Sequence, residues 1–285
     1  MRTRSENVHG TLFIVATPIG NLGDMTARAV ETLRGCDRVL CEDTRRTRQL
    51  LTHFGIAAPR VERFDAHATD RDIERTVERL AGGEQLALVS DAGTPSVSDP
   101  GAALVERAIG AGVRVVPIPG ASAVLAALVA SGLAADGRFR FVGFLPRDGR
   151  ARRAAVESVC ATAEPVVLFE SPNRAGATLR DLADATPARR ACVARELTKI
   201  HEEWVRGSLQ DLADRPREWV GEIVIVLGAH APEERNAHIE DATIEARIDE
   251  GLARGEHPKT LAERLAAWSG RPKRELYTLI VARKK

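Results

Sequence analysis

The stretch Ser90–Gly101, SDAGTPSVSDPG, follows directly on the apolar run Gln85–Val89 and crowds glycine, proline, aspartate and serine into one loop. Three more loops of this kind follow β-like runs: ATPIGNLGD at Ala16–Asp24, PIPGASA at Pro117–Ala123 and FESPNR at Phe169–Arg174. Glycine lets a backbone approach a ligand closely and take a positive φ, while proline fixes a turn and removes a donor. Open α/β sheets bind ligands in loops at the carboxyl ends of their strands, and these four loops suit a compact polar cofactor. Two arginine groups follow predicted strand ends as well. EDTRRTRQ carries Arg45, Arg46 and Arg48 at a helix start, and PRDGRARR carries Arg147, Arg150, Arg152 and Arg153. The planar guanidinium fork fits phosphate oxygens, so both groups read either as phosphate contacts or as solvated faces.

Several common chemistries lack their motifs. There is no GxGxxG opening a helix after the first strand, no GxxxxGK[ST] and no GxSxG, which removes the main support for dinucleotide, P-loop and serine-hydrolase readings. Ser90, Ser96 and Ser98 then fall to turn and cap duty. The histidines are scattered, and neither FDAHATD around His67 nor TKIHEE around His201 has a metal-ligand spacing, so no metal is expected. Cys36, Cys41, Cys160 and Cys192 form no CxxC pair and lie in or beside apolar stretches, where a reduced thiol acts as a small hydrophobe. Across 285 residues, 41 basic side chains nearly balance 40 acidic ones, so any polyanion site must be local. The opening MRTRSENVHG lacks a signal-peptide core and no apolar run approaches bilayer length, which predicts a cytoplasmic protein with no membrane partner.

The loops need a frame, and a chain of this length is comfortable as two domains. β-like runs at Thr11–Thr17, Arg38–Glu42, Val61–Asp65, Gln85–Ser90 and Val113–Pro119 alternate with helical stretches at Val30–Leu33, Thr47–Phe54, Ile73–Leu80 and Ala102–Ala111. That alternation predicts βαβ units and a mainly parallel sheet over residues 1–120. Ala121–Leu133 is small and apolar all round, which predicts a buried helix leading into a second unit, residues 121–230. There Phe139–Leu145, Val166–Glu170, Ala191–Glu196, Glu203–Val205 and Glu222–Leu227 read as strands of a mixed α/β domain. Ala229–Asn236 reads as a linker. Residues 237–285 form a small helical segment, with Leu261, Leu265 and Trp268 on one face, Leu276, Leu279 and Ile280 on another, and Gly270 and Pro272 between them.

The segments TLFIVATPIGNLGDMTARAVETLRGCDRVLCEDTRRTRQLL, LVSDAGTPSVSDPG, VVPIPGASAVLAAL, FVGFLPR, LFESPNR, ARELTKIHEEWVRG and GEIVIVLG run in order from about Thr11 to Gly228. Together they resemble the tetrapyrrole methylase superfamily, and within it the ribosomal RNA small subunit methyltransferase I group, whose appended domain the C-terminal segment also resembles. The resemblance implies two α/β domains of the tetrapyrrole methylase type with S-adenosylmethionine in the cleft between them, and a homodimer. It further implies 2′-O-methylation of a cytidine, cytidine 1402, in the 16S ribosomal RNA of the small ribosomal subunit. Carried over position by position, it puts Pro18, Ala92, Gly93, Thr94, Val97, Ser122 and Ala123 against the cofactor. Glu170 or Ser171 follows, and then Leu197 or Thr198 from the second domain.

A ribose hydroxyl is a poor nucleophile until its proton leaves, so a general base helps and a nearby cation favours the alkoxide. Asp43, Asp91 and Lys199 are the leading candidates, with Glu170 and Glu196 beside them; each could equally cap a helix or hold a loop through an ion pair. Aromatic residues are 4% of the chain and not interleaved with the arginines, which favours RNA recognition through phosphates and shape. Two other functions share parts of this pattern: a tetrapyrrole methyltransferase using the same cofactor loops, and a nucleic-acid-binding regulator using the tail helices.

Overall fold

The computed structural model describes residues 9–57, 60–97, 101–230, 241–269 and 273–283. Ser98, residues 231–236 of the expected linker, Gly270, Pro272 and the side chain of Trp268 lie outside the described set.

Five strands form the first sheet: β1 (Thr11–Val15), β2 (Arg38–Cys41), β3 (Arg60–Arg63), β4 (Gln85–Val89) and β5 (Arg114–Ile118). Their order is β3-β2-β4-β1-β5 and every pairing is parallel. A parallel sheet is covered on both faces, and the period-two alternation of its strands divides the core accordingly. Val15, Ala87 and Val89 face α1 (Ala27–Gly35) and α2 (Thr44–His53) with Ala29, Leu33 and Leu51. Leu12, Leu86 and Leu88 face α3 (Asp70–Ala81) and α4 (Ala102–Gly110) with Ile73, Leu80 and Leu104. The connections wind in opposite senses from β1, which leads toward β2, and from β4, which leads toward β5, so the loops leaving the carboxyl ends of these two neighbours part and open a crevice there.

Helix α5 (Ala123–Ser131) leads to the second sheet. It contains β6 (Arg140–Phe144), β7 (Val166–Glu170), β8 (Arg190–Arg195), β9 (Glu203–Ser208) and β10 (Ile223–Leu227), in the order β6-β7-β10-β8-β9. β6 and β7 are parallel, whereas β10 runs antiparallel to both β7 and β8, and β8 and β9 pair antiparallel. Helices α6 (Gly149–Cys160), α7 (Pro172–Ala185) and α8 (Leu209–Asp214) cover one face, and α5 packs on the other. The all-round burial expected of α5 is corrected: Val124, Ala127 and Leu128 are buried, but Leu125 and Val129 are 51% and 73% exposed. The helix is apolar on every side, yet one side alone meets the sheet.

Helices α9 (Asp241–Ala253), α10 (Pro258–Ser269) and α11 (Lys273–Arg283) pack around a separate core of Ile244, Ile248, Leu261, Leu265, Leu276 and Ile280. Leu279, grouped with Leu276 and Ile280 on sequence, is instead exposed: the core is met by the side of α11 centred on Leu276 and Ile280, and Leu279 lies about 100° around the helix from Ile280, at the edge of that side. Among the described residues no helix is long and apolar enough to cross a membrane.

Candidate active site

Three of the four strand-end loops, the three that contain glycine, are stitched together by main chain. Thr17 and Gly93 exchange both backbone hydrogen bonds, at 2.9 and 3.0 Å, and the Ala16 N–H donates to the Ile118 carbonyl. The Thr17 hydroxyl donates to the Ser90 carbonyl at 3.1 Å, and the Ser90 hydroxyl donates to the carbonyls of Ala92 and Gly93. Thr94 donates to the Ala121 carbonyl at 3.1 Å. Small residues are needed for this fit: a Cβ on Gly120 would lie 3.0 Å from the Ala16 methyl. Gly93 sits at φ +82°, and a Cβ there would lie 3.2 Å from the Ile19 Cγ2.

Past the ends of β1 and β4 these loops enclose a cavity of about 460 Å³ between the two sheets. Ala92, Gly93, Thr94, Val97, Ser122, Ala123, Glu170 and Ser171 all line it, and Phe144, Phe169, Ile223 and Val224 give it an apolar side. A second chamber of about 470 Å³ adjoins it and shares Ile19, Arg46, Asp91, Ala92 and Glu222. Pro18 belongs to this second chamber. Leu197 and Thr198 line neither: Leu197 is buried with Ile19, Val124 and Val224, and Thr198 sits at φ +66° with its N–H donating to the Glu202 carboxylate at 2.7 Å.

Asp91 stands where the two chambers meet. Its Oδ1 accepts the Asp43 N–H at 3.0 Å and its Oδ2 accepts from Arg46 at 3.4 Å. Asp43 caps α2, accepting the Arg45 N–H at 2.8 Å. The Arg45 side chain and then that backbone bond hold its carboxyl at about 2, and it lines the outer mouth of the site rather than either chamber. Lys199 bonds Glu196 at 2.9 Å and Glu222 at 3.0 Å. Burial works against its charge, but these two carboxylates outweigh it and raise its pKa. Its stem lies over Gly20, where a Cβ would come within 2.5 Å of Cγ, so the lysine joins the first-sheet loop to the second sheet. Glu196 accepts from Lys199 and from the Glu222 N–H at 2.9 Å, and the backbone bond leads in lowering its pKa.

Two expected roles are corrected. The Glu170 side chain is fully buried; it accepts from Thr178 at 2.6 Å and from the Ser171 N–H at 2.8 Å, and pairs with Arg174 at 3.2 Å, so although the residue lines the first chamber its carboxylate is engaged in holding the start of α7. Arg152 bonds Asp181 at 2.6 and 2.9 Å and donates to Thr178 at 3.0 Å, with 13% of its side chain exposed, so it braces α6 on α7 and is not free for phosphate. Arg45, Arg46 and Arg48 are exposed on α2, as are Arg147, Arg150 and Arg153 at the start of α6.

Sequence reasoning missed Glu42, which lines the first chamber beside Asp91 and whose pKa is raised chiefly by burial. It also missed Gln49 and His53 on the second chamber, although Arg46, Gln49, Leu50 and His53 follow a helical i, i+3, i+4, i+7 spacing. Glu222 carried no signal, because its place depends on β10 entering the middle of its sheet.

Residues 11–213 match the family described as tetrapyrrole (corrin/porphyrin) methylases. The chain is 43% identical over 279 residues to ribosomal RNA small subunit methyltransferase I of Synechocystis sp., covering 95% of this chain and 97% of that protein. The protein of that name from Xylella fastidiosa (strain Temecula1) is 44% identical over 273 residues, covering 94% and 98%. Among solved structures, a diphthine synthase superposes with a TM-score of 0.60 at 18% identity, covering 78% of this chain and 92% of that one. A Thermus thermophilus uroporphyrin-III C-methyl transferase complexed with S-adenosyl homocysteine gives 0.55 at 18% identity, covering 77% and 97%. With two strand-end loop systems closing on one cleft, and the match running through both sheets, the chain belongs to the tetrapyrrole methylase family.

Proposed function

We propose that the protein is an S-adenosylmethionine-dependent methyltransferase of small-subunit ribosomal RNA, and that it methylates the ribose 2′-oxygen of cytidine 1402 in the 16S RNA. The observation that carries this reading is the extent of the likeness: relatives named for that RNA match 94–95% of the chain, a span that needs the C-terminal helices as well as the α/β body. The first chamber suits the cofactor. Its Gly93 cradle would be filled by a Cβ, its Phe144 and Phe169 side offers aromatic surface, and Glu42, Asp91 and Glu222 supply the negative charge that a sulfonium favours. When bound, the cofactor supplies a methyl group already activated on sulfur.

The protein's part is then to place an acceptor oxygen and receive its proton. Asp91, fixed by the Asp43 N–H and by Arg46 at the junction of the chambers, is placed to take that proton. Asp43 positions it and, held at about 2, is itself too weak a base. Lys199 orients Glu222 and Glu196 across the cleft. Arg45, Arg46, Arg48, Arg147, Arg150 and Arg153 hold the RNA by its phosphates. The same reading takes domain limits near residues 120 and 230, a cytoplasmic setting, and a homodimer that covers the exposed Leu125 and Val129.

The test is transfer of a labelled methyl group to small subunits from cells lacking the enzyme, beside naked RNA and a tetrapyrrole precursor. Label in a 16S ribose is expected. Label in the small molecule alone would overturn the substrate and keep the cofactor.

A further inference from the structure

The geometry points to the second chamber as the pocket that receives the target nucleotide, lifted out of its RNA stack, with Gln49 and His53 of α2 reading its base. This rests on the RNA methyltransferase reading above. The helical spacing places Arg46, Gln49, Leu50 and His53 along one side of α2, and all four line the chamber. Arg46 lies at the junction with the cofactor chamber, while Gln49 and His53 line the second chamber alone. The four residues therefore run from the reacting end of the cleft to its far end.

The chemistry of the two chambers differs in the same sense. The cofactor chamber is walled largely by small loop residues and apolar side chains. The second offers a carboxamide, an imidazole and the aliphatic surfaces of Leu22 and Leu50. Gln49 and His53 are both exposed at the chamber, with the His53 ring set edge-on to Phe54 at 4.9 Å, and neither side chain makes a hydrogen bond among the described residues, so a ligand there would compete only with water for their donors and acceptors. An amide presents a donor and an acceptor side by side, and so does the Watson–Crick edge of an unpaired pyrimidine. Leu50 and the 42% exposed Leu22 give a base face apolar cover. A ribose attached to a base held there lies toward Asp91, and its phosphate toward Arg46. For its base to lie between α2 and the strand-end loops that wall this chamber, the nucleotide must leave its stack.

The experiment uses the full chain with Gln49→Ala, His53→Ala, the double change, and the isosteric Gln49→Glu, which replaces the amide donor by an acceptor. Cofactor affinity by calorimetry and the melting temperature serve as fold controls and are expected to stay at wild-type values. Methyl transfer is then measured on subunits with the natural target and on subunits whose target cytidine is changed to uridine. The double variant is expected to raise KM for subunits about tenfold and to lower the cytidine preference about tenfold, and Gln49→Glu, which keeps an acceptor for the cytosine amine but sets a second acceptor against cytosine N3 or uracil O4, to raise KM for both targets without lowering the preference. Unchanged KM and preference would overturn the proposal. So would loss of cofactor affinity at an unchanged melting temperature, which would make this wall part of the cofactor site. A wild-type enzyme that leaves subunits unlabelled would instead fail the underlying reading, and this proposal with it.

Discussion

On the first turns of α6, Arg150 and Arg153 are exposed with no ion pair among the described residues, while Arg152 between them is held by Asp181 and Thr178. A helix advances about 100° per residue, so positions three apart share a side and the position next to them turns toward the interior. Changing Arg150 and Arg153 together to alanine is expected to weaken RNA binding and flatten its salt dependence by about one to two logarithmic units of slope, with stability unchanged. Arg152→Ala is expected to do the reverse, lowering stability by about 1–2 kcal/mol in urea unfolding through the lost charge-assisted bonds. Gly93→Val meets both a positive φ and the Ile19 methyl, and calorimetry is expected to find cofactor binding abolished in a chain that still folds. The Arg152 role, read on sequence as a phosphate contact, had a signal that went unused: Val156 and Val159, four and seven residues on, are apolar and share its side of the helix. The Glu170 role had no such signal, because its partner Thr178 lies eight residues away on α7 and packing decides that the carboxylate turns inward.

Among the elements, the second sheet carries its own electrostatic brace. Arg195 on β8 faces Glu203 on β9 in register, and Arg217 bonds both oxygens of the same carboxylate, at 3.0 and 2.9 Å. The Arg217 bond leads in holding the Glu203 pKa at about 2, against an ordinary value of 4.5. A depressed carboxylate stabilises the fold above its unfolded pKa, and that contribution is lost as pH falls through the folded value. Glu203→Gln is therefore expected to lower the free energy of urea unfolding near neutral pH by about 1 kcal/mol, since the group is partly solvated, and the gap to narrow from about pH 4.5 toward pH 2. Every strand expected from alternation and turn residues is present, within a few residues of its predicted ends. Sequence pattern identified α5 as a helix but not its exposed side, because an all-round apolar helix does not show which of its faces will find a partner.

Over the whole molecule, the cleft draws its walls from both sheets, while α9–α11 close on a core of their own. A chain ending at residue 230 is expected to bind cofactor within about twofold of the full chain, since its loss removes none of the residues lining either chamber. The same chain is expected to bind small subunits more weakly, measured by sedimentation; equal binding would remove the C-terminal helices from RNA contact.

The strand orders also set a timetable for synthesis. β1, first to leave the ribosome, has its place between β4 and β5, so the first sheet stays open until residue 118 emerges. β10 fills the gap between β7 and β8, so the second sheet waits for residue 227. Ile223 and Val224, which wall the cofactor chamber, arrive with it. Between residues 118 and 227 the first sheet is complete while the second still lacks its middle strand and exposes the edges of β7 and β8, which makes that interval the period when the nascent chain most needs chaperone protection.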